Sequence, residues 1–173
     1  MCQMIKVYEQ QIPAVRFIGI KFGDGDRKNG SFAHIWEEWL ASDRFAPLVD
    51  LVKEEFCKVY EEAWAYLGFM RMKEGEPFEY WLGMFLPEGT AVPEGFEYFD
   101  VPAAKLGVCW VKGPDKEVYF KEEQCAEVLD QNGFEIAKNG SGYICFFERY
   151  VCPRFTTPDE DGNVVLDICH YIK

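Results

Sequence analysis

No run of apolar residues approaches the roughly 18 that a membrane-spanning helix needs, and the N-terminus, MCQMIKVYEQ, holds no apolar stretch of signal-peptide length. The expectation is a soluble, cytoplasmic chain with no membrane partner. Positive charge is also scarce. Lys and Arg number 18 against 30 Asp and Glu, a formal net charge of -12, and no basic stripe breaks the pattern. Phosphate contacts need such a stripe, so nucleic acid is not expected as a direct partner. Histidine is rare: His34 and His170 are the only two, and neither stands at metal-ligand spacing from a cysteine. No metal and no cofactor are expected. The 7 cysteines make an odd count without a CxxC pair, which argues against a disulfide framework. Cys109, Cys145 and Cys169 fall in apolar, strand-like runs where a free thiol acts as a small hydrophobe, and that suits a reducing compartment. Neither a GxSxG elbow nor a glycine-rich phosphate loop is found.

Aromatic residues, by contrast, make up 17% of the chain. That is more ring surface than packing alone usually demands, and it gives modest support to a ring-lined cavity. A chain of 173 residues can bury one sizeable core, so a single domain is expected over residues 1–173. The pattern predicts an extended segment over Ile12–Phe22, a turn at Gly23–Asp26 and a helix opening after Ser31. In that helix Phe32, Ile35, Trp36, Trp39 and Leu40 form one apolar stripe, and Trp36 and Trp39 read as core. Pro47 should break the helical region. Strands follow over Ala63–Met72 and Phe78–Leu86, then an extended segment over Phe96–Val111 interrupted at Val101-Pro102, then a helix over Asp115–Gln131. Strands over Tyr143–Val151 and Val164–Ile172 complete the chain.

The order is β-α-β-β followed by β-α-β-β, and Ile12-Pro13-Ala14-Val15-Arg16-Phe17 aligns with Val101-Pro102-Ala103-Ala104-Lys105-Leu106. The predicted fold is α+β: tandem β-α-β-β repeats with pseudo-twofold symmetry, halves near 1–92 and 93–173, an antiparallel sheet with helices on one side and a ligand cleft between the halves.

The run Tyr143–Tyr150, YICFFERY, carries one carboxylate in an apolar setting. If extended, it sets Glu148 on the face of Ile144, Phe146 and Tyr150. A buried, unpaired carboxylate costs several kcal/mol, so Glu148 is solvated, paired with an internal base such as Arg149, neutralised by a raised pKa, or at a cavity mouth.

Three segments resemble the GyrI-like small-molecule-binding domain, also called the bacterial transcription-activator effector-binding domain. They are VPAAKLGVCWVKGP (Val101–Pro114), FERY (Phe147–Tyr150) and DGNVVLDICHYIK (Asp161–Lys173). The resemblance runs in order over nearly the whole chain. It implies a cleft between the two repeats that accepts lipophilic, often cationic, molecules, with an acidic residue near the end of the fifth strand; Glu148 holds that position. Tyr150 follows from the same motif, and Trp110, Tyr80 and Trp64 are assigned to the aromatic lining from strand placement. Family members occur fused to helix-turn-helix domains and as stand-alone proteins. With about ten residues before the first extended segment, the stand-alone form is expected here.

The leading expectation is a module that senses or sequesters a lipophilic, cationic small molecule, as in multidrug binding and transcription regulation. An alternative implied by the resemblance is a hydrolase of reactive electrophiles, with Glu148 as general base. A lesser one is a gyrase-inhibitor-like protein-interaction module, against which the acidic residues are dispersed through the chain.

Overall fold

The computed structural model describes residues 1–173. Its eight strands are β1 (Gln3–Ile12), β2 (Val15–Phe22), β3 (Tyr66–Met72), β4 (Glu79–Pro87), β5 (Glu97–Val101), β6 (Ala104–Pro114), β7 (Ile144–Tyr150) and β8 (Asn163–Ile172). The helices are α1 (Ala33–Ala41), α2 (Ala46–Val49), α3 (Glu54–Val59) and α4 (Glu122–Gln131). None is long and apolar enough to cross a membrane. All strands join one antiparallel sheet in the order β1-β6-β8-β7-β3-β4-β2-β5.

That order reads the same from either end once β1–β4 are exchanged with β5–β8, which places a pseudo-twofold axis between β3 and β7. Phe69 and Phe147 face each other there, with rings stacked at 5.4 Å. The two proline segments hold equivalent places: Ile12 pairs with Ala104, and Val15 with Val101. Each repeat therefore lends its first strand to the other. The repeat unit carries one strand more than the sequence pattern suggested. β1 is an edge strand with many exposed polar side chains, so its apolar signal is weak.

Only Pro13 and Ala14 separate β1, at one end of the sheet, from β2, next to the other end. Two linking residues reach about 11 Å at most, so the sheet must curl until its ends meet. Its inner face holds a core of Phe17, Leu67, Phe69, Phe85, Val108 and Phe147 with their neighbours. On the outer face α1 and α2 cover the first repeat through Ile35, Trp39 and Leu48, while α4 covers the second through Cys125 and Leu129. α3 departs from the one-sided arrangement. Phe56 and Tyr60, four residues apart, turn it toward the inner core.

Local chemistry accounts for the helix limits. The Ser31 hydroxyl accepts the Ala33 N–H at 3.0 Å where α1 begins, and Pro47 stands in the first turn of α2, where its missing N–H costs nothing. The long helix predicted over Asp115–Gln131 is shorter: Asp115–Glu117 forms a 3-10 turn and α4 starts at Glu122.

Candidate functional site

Glu148 lies on β7, beside the pseudo-twofold axis and on the outer face of the sheet. Its counterpart in the first repeat is Met70. Both repeats read Phe-x-Arg there, and the two arginines oppose carboxylates on the next strand, Arg71 to Glu79 and Arg149 to Asp167. The carboxylate at the middle position thus belongs to one repeat only. Strand alternation sends Glu148 outward and its neighbour Arg149 inward. Arg149, fully buried, binds Asp167 at 2.8 Å and lies 3.4 Å from Glu62. An ion pair between Glu148 and Arg149 is therefore excluded by geometry.

Glu148 is 7% exposed and makes no ion pair at all. The Tyr150 hydroxyl donates to its Oε2 at 2.7 Å. Tyr80, from β4, converges on the same spot. A methyl group at Gly68, opposite Glu148 on β3, would come within 2.5 Å of the Tyr80 hydroxyl and 3.3 Å of Glu148 Oε2, so glycine leaves the space these two groups occupy. From α1, Trp36 donates its indole N–H to the Tyr80 hydroxyl at 2.8 Å and sets its ring 4.6 Å from that of Tyr150. Phe155 meets the other side of Tyr150 at 4.7 Å, and Tyr119 in turn packs on Phe155 at 6.5 Å. Phe32 stacks on Tyr80 at 4.1 Å.

A second carboxylate completes the group. Glu122, the first residue of α4, brings its carboxylate beside that of Glu148. Burial, and next the adjacent Glu122 carboxylate, push the Glu148 pKa up to about 8, against the pull of the Tyr150 hydroxyl. Burial likewise raises Glu122. Two close carboxylates cannot both ionise cheaply, so they titrate as a pair that retains a proton at neutral pH. The site is an acidic pair, short of compensating cations, walled by rings from both repeats where α1 and α4 flank the sheet.

Of the residues assigned from sequence, Glu148, Tyr150 and Tyr80 are brought together. Trp64 and Trp110 are not in this group. Trp64 lies on the turn before β3, 54% exposed, and stacks on none of these rings. Trp110 opposes Asp167 on β8, so alternation puts it on the inner face with Asp167 and Arg149, against Tyr8 and under the Arg154 guanidinium. Assigning a tryptophan to a strand leaves its face open; register closes it.

Glu122, Trp36, Tyr119 and Phe155 were not assigned from sequence. Glu122 had a readable signal. With Cys125 and Leu129 at i+3 and i+7 it stands on the buried stripe of α4, where a carboxylate is out of place. Trp36 reads as core because it shares the apolar stripe of Trp39, yet only Trp39 is fully buried.

No family model and no curated protein matches the sequence. Solved structures do match its fold. SAV2435, in a structure bound to tetraphenylphosphonium, is 18% identical over 98% of this chain and 94% of that one, with a TM-score of 0.67. A Staphylococcus aureus protein assigned to bacterial transcription regulation is 18% identical, covers 97% of this chain and 98% of its own, and has a TM-score of 0.64. EcmrR, seen in a complex with DNA, is 12% identical over 97% of this chain and 57% of that one, with a TM-score of 0.54. The chain shares the fold of these structures.

Proposed function

We propose that this protein binds lipophilic organic cations in the aromatic cleft between α1 and α4, with Glu148 as counter-charge and Glu122 as its proton-sharing neighbour. The carrying observation is a buried carboxylate with no cationic partner. Such a group is costly while empty and gains from a cation that replaces the proton. Trp36, Tyr80, Tyr150 and Phe155 supply ring surface, and each cation-ring contact contributes about 0.5–2 kcal/mol depending on desolvation. A fold neighbour bound to tetraphenylphosphonium supports the ligand class. With one counter-charge and stacking in place of several directed hydrogen bonds, selectivity is broad, as a sensor or sequestering protein for varied compounds requires. The seven cysteines are all free, four of them buried, which favours the cytoplasm as the working compartment.

The proton shared by Glu148 and Glu122 favours one second reading, hydrolysis of a reactive electrophile with Glu148 taking a proton from the attacking water. Formation of the hydrolysed product separates it from retention of the intact compound.

A thermal-shift comparison tests the binding reading. A ligand of the folded state raises the melting temperature by mass action. Tetraphenylphosphonium should raise it in a concentration-dependent way, while neutral triphenylphosphine oxide should raise it far less. No rise with the cation, or an equal rise with both, would rule the reading out.

A further inference from the structure

The inner face of the sheet ends in a cavity of about 750 Å³, on the side opposite to Glu148. Its floor is apolar, built by Ile12, Phe69, Phe99 and Tyr171, and its mouth lies between the Val101–Lys105 link and the loop 137–141. The size is in the range of sites for drug-sized ligands. We propose that this cavity is a second ligand site, independent of the cation cleft, which takes an amphipathic organic anion: an apolar body bearing one carboxylate.

Charge sets the sign of the ligand. Asp100 is the single carboxylate residue in the wall, and Arg16 already holds it through two hydrogen bonds of 2.7 and 3.0 Å. Lys105 and Lys138 stand at the mouth without ion-pair partners, whereas Arg71, deeper and 4.5 Å from the Phe99 ring centre, is already paired with Glu79 at 2.6 Å. This contrasts with the outer-face cleft, where the unpaired charges are carboxylates. The net charge of -12 repels anions in general, but that field is screened over about 8 Å at physiological salt, so the lysines at the mouth decide the local sign.

A second observation is independent of charge. Tyr171 is 7% exposed, and its hydroxyl is buried with no hydrogen-bond partner. Native structures rarely leave such a donor unmatched, because an unsatisfied buried group costs about 1–3 kcal/mol. An acceptor oxygen carried by a ligand in this cavity would match it. The apolar floor, three rings and Ile12, then takes the apolar body and the mouth takes the carboxylate.

The test is a fluorescence titration with 1-pyrenebutyrate, with 1-pyrenebutanol as its neutral analogue. Lys105→Glu combined with Lys138→Glu reverses two exposed charges without disturbing the core, and Ala103→Trp, also at an exposed position, narrows the mouth. The expected result is saturable 1:1 binding of the carboxylate, at least tenfold tighter than the alcohol. That binding should weaken at least tenfold in the double variant and in Ala103→Trp, and saturating tetraphenylphosphonium should not displace it. Absence of saturable binding, equal affinity for the alcohol, indifference to the lysine and mouth variants, or displacement by the cation would each overturn the proposal. Unchanged tetraphenylphosphonium binding by the double variant would show that the outer cleft is intact, so failure of this proposal is distinguishable from failure of the cation reading.

Discussion

At the scale of single residues, the account turns on the proton held by Glu148 and Glu122. An exposed glutamate is ionised at neutral pH, but here burial and a like charge push Glu148 up to about 8. The folded protein thus binds this proton more tightly than the unfolded chain, whose glutamate titrates near 4.5. The stability from this group is fully present below the unfolded value and is lost as pH rises through the folded one. Denaturant titrations from pH 5 to pH 9 should show wild-type stability falling across that window relative to Glu148→Gln, which lacks the group. Cation affinity runs the other way. The cation competes with the proton, so affinity should climb by up to tenfold per pH unit and level off above about pH 8. Glu122→Gln removes the like charge, so its affinity curve should level off at lower pH. A pH-independent affinity would contradict the shared proton.

At the scale of elements, the two Phe-x-Arg strands show how one scaffold carries two different jobs. Inward, Arg149 and Asp167 form a buried pair, with Arg154 also reaching Asp167 at 2.6 Å. Outward, the same strand presents Glu148. Asp167→Ala removes the main partner of the buried Arg149, leaving Glu62 at 3.4 Å and a hydrogen bond to Gln10, and should destabilise the fold by about 3–5 kcal/mol in a chemical-denaturation experiment. The cation affinity of the folded fraction should stay unchanged, since the sheet separates Asp167 from the cleft. Much of this architecture was legible in the sequence. Pro13 and Pro102 marked equivalent breaks, and Glu148 stood out as a carboxylate in an apolar run. β1 was not legible because its polar exposed face hid the alternation. Trp64 and Trp110 could not be placed because facing depends on register, which is set by strands far apart in sequence. Glu122 needed the buried stripe of α4 to be read for what it contained as well as for its period.

At the scale of the whole molecule, the exchange of β1 and β5 ties the repeats together. β1 pairs with β6, β5 with β2, and β3 with β7, so three strand pairings join the repeats within one continuous sheet. Neither repeat keeps its own first strand. Thermal unfolding followed by far-ultraviolet circular dichroism and by tryptophan fluorescence should therefore give one coincident transition; two separated transitions would mean that the repeats fold independently. The same interlock gathers rings from both repeats beside the axis but the strand carboxylate from the second alone, a symmetric frame around an asymmetric charge. That asymmetry is the central claim, and calorimetric titration of wild type and Glu148→Gln with tetraphenylphosphonium and with triphenylphosphine oxide tests it most directly. The account predicts that the substitution weakens the cation by about 1–3 kcal/mol and leaves the neutral compound's weak affinity nearly unchanged. Equal losses for both compounds, or no loss for either, would contradict it.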